Sequence, residues 1–155
     1  MHPHHASRAQ FTYPEDKLMP LRGFVDHGEL CKPTMLDANE EACLIVVKNG
    51  AATGVTFGRA SGIESFTRDY DDLGGIKSTS REIAIYSYSK EDGAFSCCGD
   101  SGSVIADANH RIVGMLTGGA GLTNSTDVTY ASSYAFLQER IRQAFPHCHL
   151  FPSRP

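Results

Sequence analysis

From Glu41 onward, short apolar runs alternate with turn-forming residues. Ala42-Cys-Leu-Ile-Val-Val-Lys48 is a β-branched run, and Asn49-Gly50 after it is a hairpin-turn signal. Thr53 to Arg59 follows as the partner strand, with glycines where bends or bulges belong. Glu82-Ile-Ala-Ile-Tyr-Ser-Tyr88 alternates Ile83 and Ile85 with Ala84, Tyr86 and Tyr88, a strand with two usable faces. Gly102 to Ala106 and Arg111 to Thr117 flank the turn Asp107-Ala-Asn-His110, and Asp127 to Ala131 supplies a sixth strand. Residues 67–80 are polar and glycine-rich and predict a surface loop. Over Ser133 to Phe145 the period changes to helical: Leu137, Ile141, Ala144 and Phe145 share one face, Glu139, Arg140 and Arg142 another. Ser132 or Ser133 caps its start and Pro146 stops it.

Six short strands and a terminal helix predict an all-β fold, a small closed antiparallel β-barrel followed by a C-terminal α-helix. Residues 1–40 hold most of the prolines, between Pro3 and Pro33, and four histidines without sustained periodicity. They predict an extended N-terminal arm with one short strand around Leu21 to Val25. Residues 41–150 form the folded domain and 151–155 a tail.

A chain of 155 residues is long enough to bury the core of one domain. Its net charge of −4 gives no reason to expect a nucleic acid or an anionic membrane as partner. No stretch approaches the roughly 18 apolar residues that span a bilayer. The start, Met1-His-Pro-His-His-Ala, has neither the charged region nor the apolar core of a secretory signal, so a native Met1 predicts a cytoplasmic protein. Cys31, Cys43, Cys97, Cys98 and Cys148 are an odd set whose spacing fits no zinc pattern, and reduced thiols are expected. No metal and no cofactor is predicted. His2, His4 and His5 amount at most to a weak chelate, and a surface position is expected for His110, His147 and His149.

The chemistry lies in Phe95-Ser-Cys-Cys-Gly-Asp-Ser-Gly-Ser-Val-Ile105. Glycines on both sides of Asp100-Ser101 let the backbone bend sharply and present the Ser101 hydroxyl. The same bend allows N–H groups to converge, as the oxyanion of an acyl-transfer intermediate requires. Gly-Asp-Ser-Gly with these surroundings resembles the nucleophile motif of the chymotrypsin/trypsin-like serine proteases. The resemblance runs from about Ala42 to Phe145. It takes in the opening hairpin Val47 to Gly58, the glycine-rich segment Ile112 to Gly121, the strand Asp127 to Ala131 and the terminal helix. It implies the second, nucleophile-bearing barrel of that family. Ser101 would be the catalytic nucleophile, the N–H groups of Gly99 and Ser101 the oxyanion hole, and Asp100 a structural residue of the loop. Thr117, Gly118 and Gly119 would bind an extended peptide or protein substrate by strand addition. At the family's pocket floor stands Phe95, which offers no carboxylate to a lysine or arginine. Ser103 replaces the usual second glycine. Cys97 has no partner between residues 118 and 128, as in the disulfide-free branch of the fold.

A serine hydroxyl needs an imidazole to take its proton and an aspartate to fix that imidazole. In this family both precede the serine, on a first barrel. Only 100 residues precede Ser101 here and about 60 of them belong to the second barrel, so the first does not fit. His27, beside Asp26, is the one upstream histidine with any context, and in an extended segment the two side chains would point apart. The resemblance therefore implies a trypsin-like serine endopeptidase domain that is incomplete and inactive alone, its His and Asp missing. A first barrel elsewhere or a second chain would complete it. The alternative is a non-catalytic pseudoprotease that binds an extended peptide or protein partner.

Overall fold

The computed structural model describes residues 18–37, 39–89, 91–121 and 127–151. In chain order the elements are α1 (His27–Cys31), β1 (Met35–Leu36), β2 (Ala42–Gly50), β3 (Gly54–Tyr70), β4 (Ile76–Ser87), β5 (Val104–Asp107), β6 (Ile112–Ala120), β7 (Val128–Ser133) and α2 (Tyr134–Ala144). Strands β2 to β7 pair in the order β2-β3-β4-β7-β6-β5, and β5 returns to β2, so six antiparallel strands close a ring. Alternate strand residues turn inward, as period-two patterning requires. Leu44, Val46, Ala60, Ile83, Ile85, Ile105, Val113, Leu116 and Ala131 form the core, with Phe95 from the segment before Ser101. No helix among the described residues is long and apolar enough to cross a membrane.

The described part of the N-terminal segment packs on the ring. Val25 and Leu30 enter the core, and Phe24 forms one isolated parallel bridge with Ile112 in place of the short strand expected over Leu21 to Val25. Asp26 caps α1 by accepting from Glu29 N–H at 2.9 Å.

Two local expectations are corrected. Residues 67–80 are a paired ribbon, the ends of β3 and β4 in register from Ser65↔Glu82 to Asp69↔Ser78, with a register shift before Tyr70↔Ile76. Cross-strand bonds hold it, Thr67 Oγ1 to Ser80 Oγ at 2.6 Å and Ser78 Oγ to Asp69 Oδ2 at 2.8 Å. The Asn49-Gly50 signal also misplaces its turn: both residues stay in the ladder, opposite Val55 and Gly54, and the chain reverses over Ala51 to Thr53. Helix α2 begins as expected, with Ser133 accepting from Phe136 N–H at 3.2 Å, but buries no residue; Ile141 and Phe145 are exposed.

Three loops are closed in one way. Asp37, Asp71 and Asp107 each accept, through Oδ1, the N–H groups two and four residues ahead, at 2.7–3.0 Å. This is a short hairpin turn with an aspartate cap, and its fourth residue takes a left-handed backbone: Glu40 at φ 64°, Gly74 at 81°, His110 at 66°.

Candidate active site

Ser101 lies on the loop that enters β5 and is exposed. The bend around it uses left-handed glycines, φ 105° at Gly99 and 87° at Gly102, a region costly to residues with a Cβ. Backbone bonds tie the loop down: Asp100 N–H to Cys97 O at 3.1 Å, Ser103 N–H to Asp100 O at 3.0 Å, Gly102 N–H to Leu116 O at 2.8 Å and Leu116 N–H to Ser103 O at 3.0 Å. The Ser103 hydroxyl adds a bond to Asp100 O at 2.6 Å, a tie that a glycine would lack. The N–H groups of Gly99 and Ser101 donate to no acceptor among the described residues.

Beneath the serine, the Asp100 side chain is wholly buried. Its Oδ1 accepts from the N–H groups of Ala52 at 2.8 Å and Thr53 at 3.2 Å. Its Oδ2 accepts from the Thr53 hydroxyl at 2.6 Å and Cys97 N–H at 3.2 Å. The Lys48 ammonium stands 3.2 Å from the same oxygen, its side chain also fully buried. It also donates to Thr53 Oγ1 and to Gly54 O at 3.1 Å and lies 5.7 Å from the centre of the Phe95 ring. Burial by itself would push the Asp100 carboxyl up; the Thr53 hydroxyl and the three N–H groups outweigh it and hold the carboxyl well below its ordinary range. Gly50 leaves the necessary space, since a Cβ there would sit 2.2 Å from Asp100 Oδ1. The turn between β2 and β3 is thereby fastened to the base of the serine loop.

Next to the loop runs β6. Its pairing with β5 ends at Val104↔Met115, and the backbone bonds of Leu116 to Gly102 and Ser103 extend it by one step. Gly118, Gly119 and Ala120 remain paired with Tyr130, Thr129 and Val128 of β7, while no β5 residue faces them on the other side. Thr117 sits at a register shift and donates to Tyr130 O at 3.1 Å and to Glu82 Oε2 at 3.3 Å. Glu82, buried at the ring wall, also accepts from the Ser132 hydroxyl at 3.0 Å.

Lys48, Thr53 and Glu82 were missed by the sequence reading. Lys48 alternates correctly with Val47 for an inward position, which is the one signal that pointed to its burial.

His27 lies elsewhere in its contacts. It begins α1, with Nε2 3.7 Å from Cys31 Sγ and Nδ1 3.9 Å from Glu64 Oε1, and neither partner belongs to the serine loop. Asp26 does not turn toward it but caps the helix. The backbone of His110 occupies a hairpin turn. His2, His4 and His5 lie outside the described residues. All five cysteines are free; Cys97 and Cys98 are exposed, while burial pushes the Cys43 thiol up.

No family model matches the chain, and no curated protein matches it. Among solved structures it is similar to the crystal structure of a chymotrypsin from Cellulomonas bogoriensis, with 22% identity and a TM-score of 0.46 over 66% of this chain and 47% of that one. The chain thus spans about half the length of that chymotrypsin.

Proposed function

We propose that this chain is the nucleophile-bearing half of a trypsin-like serine protease, with Ser101 in the nucleophile's place, incomplete and inactive alone. The observation that carries this reading is the pairing of an exposed Ser101 with a wholly buried, fully bonded Asp100 one residue before it. The idle N–H groups of Gly99 and Ser101 suit an oxyanion hole. The unpaired side of Thr117, Gly118 and Gly119 suits an extended peptide added as a strand. What the site lacks is a base: no histidine is bonded to Ser101 among the described residues. A hydroxyl without its imidazole attacks an acyl carbon too slowly to digest protein. A first barrel or a second chain would bring the histidine and its aspartate. The β6 edge also favours a second reading, a pseudoprotease that holds a peptide without cleaving it.

The test is labelling with a fluorophosphonate followed by intact-mass analysis, with and without imidazole in large excess, beside Ser101→Ala. The expected result is no adduct on the folded chain alone and a single, Ser101-dependent adduct when imidazole stands in for the base. An adduct without imidazole would refute the inactivity, and His27→Ala would then ask whether the base is internal. No adduct under either condition would remove the nucleophile and leave the peptide-binding reading.

A further inference from the structure

Helix α1 and strand β3 bring His27, Cys31 and Glu64 together at the surface. Asp26 caps the helix, and His27 and Cys31, four residues apart, lie on one face of its single turn. His27 Nε2 is 3.7 Å from Cys31 Sγ, and His27 Nδ1 is 3.9 Å from Glu64 Oε1. One ligand atom from each of the three residues lies within 4.8 Å of the other two. Leu30, on the same turn, is buried in the core and anchors α1 to the ring. The strand meets the helix through an irregularity. The β3–β4 register passes from Ala60↔Ile85 to Glu64↔Ile83, so Ser61, Gly62 and Ile63 stand against Ala84 alone. Gly62 holds φ 82° in this bulge, and a Cβ on it would lie 2.9 Å from Cys31 O and 3.1 Å from Leu30 O. The end of α1 thus rests on bare backbone, and Glu64 emerges beside it. Arg81 Nε, 3.2 Å from Glu64 Oε1, orients the carboxylate.

We infer that His27, Cys31 and Glu64 bind a zinc ion, which fastens the N-terminal segment to the ring. An imidazole, a thiolate and a carboxylate are all zinc ligands, whereas magnesium and calcium take oxygen. With bonds of about 2.0–2.3 Å, two ligand atoms of a tetrahedral zinc lie about 3.3–3.6 Å apart. The 3.7 Å between His27 Nε2 and Cys31 Sγ is close to that edge, and rotation of the Glu64 side chain brings in the third ligand. On binding, the Cys31 thiol gives its proton to the solvent, and the thiolate and the Glu64 carboxylate balance the two charges of the ion. The fourth corner is left to water, because His27 and Cys31 are exposed. The hydrogen bonds and ion pairs of the three side chains involve no residue of the serine loop, so the site stands apart from the reading of Ser101.

Cobalt(II), which accepts the tetrahedral ligands of zinc and absorbs light when a thiolate binds it, is the probe on the whole, reduced chain. The folded wild type is expected to show a thiolate-to-cobalt band that saturates at one equivalent and disappears when zinc displaces the cobalt. Cys31→Ser is expected to abolish the band, and His27→Gln and Glu64→Gln each to weaken cobalt binding at least about tenfold. A chelate of His2, His4 and His5 contains no sulfur and gives no such band. No band on the folded wild type, a band that survives Cys31→Ser, or an affinity unmoved by either glutamine variant would each overturn the site. A second measurement needs no variant. Zinc is expected to slow the alkylation of Cys31 at least about tenfold, read by peptide mass, and to leave Cys97 and Cys98 as reactive as before. No slowing at Cys31, or equal slowing at Cys97 and Cys98, would place the metal elsewhere and overturn the assignment.

Discussion

Asp100 buries its whole carboxylate, and Asp127 one carboxylate oxygen, next to the segment that carries Ser101, and their surroundings are opposite. Asp100 meets the N–H groups of Ala52, Thr53 and Cys97, the Thr53 hydroxyl and the Lys48 ammonium, and its carboxyl is held low. Asp127 meets one N–H, from Phe95, keeps an oxygen without a partner, and is pushed up chiefly by its burial. A carboxylate satisfied within its own chain fixes the structure around it. One left short of donors costs the folded state part of its desolvation. The contrast assigns the first to the architecture of the serine loop and makes the second a local cost to the folded state.

The harshest way to break the comparison is to remove the satisfied acid. Asp100→Ala leaves the Lys48 ammonium buried without its anion, which costs about 3–5 kcal/mol in urea unfolding. Asp100→Asn combined with Lys48→Met removes both charges, and the pair is expected to lose clearly less than Asp100→Asn alone. A double variant as unstable as the sum of its parts would mean that the two charges do not act together.

The two acids also predict opposite responses to pH. Asp100 has a folded pKa below the ordinary 3.8, so its contribution is complete above that value and disappears as the pH falls through the lower folded one. Asp127 has a folded pKa above 3.8, so the native state holds its proton the more tightly, and stability is lost as the pH rises through the raised value. Asp127→Asn should therefore stabilise the chain at pH 7, by about 1 kcal/mol, and leave it unchanged below pH 3.8. A loss of stability at pH 7 would mean that the Asp127 carboxylate is satisfied after all.

The same contrast explains what the sequence disclosed. The six strands were legible because β-branched residues alternate with small or polar ones over Ala42 to Lys48, Glu82 to Tyr88 and Arg111 to Thr117. Ser101 and Asp100 were legible as a motif with glycines at both ends. Lys48 was not, because its burial depends on a carboxylate that arrives from a loop much later in the chain, and no local pattern records that. Asp127 read only as the first residue of a strand; its unpaired oxygen exists only once Phe95 and Thr129 are neighbours. Helix α1 could have been found, since Asp26 and Glu29 have the spacing of a capping box. The ribbon over 67–80 was hidden by its polarity, although Asp71 begins the same kind of turn as Asp37 and Asp107.

Asp107 sharpens the comparison from a third side. It is as buried as Asp100 and as well bonded, accepting from Asn109 N–H, Arg111 N–H and the Arg111 guanidinium, but it closes the turn at the far end of β5. That turn carries a cost of its own, because His110 holds a left-handed φ of 66° where the equivalent residue of the Asp71 turn is Gly74. A residue with a Cβ loses about 1 kcal/mol there, and glycine gives part of it back as entropy lost on folding. His110→Gly is thus expected to stabilise by about 0.5 kcal/mol, which raises the melting temperature by about 1–2 °C. The backbone bonds of His110, to Asp107 O and from Arg22 N–H, are open to glycine as well. A drop in melting temperature would place the value of His110 in its side chain instead.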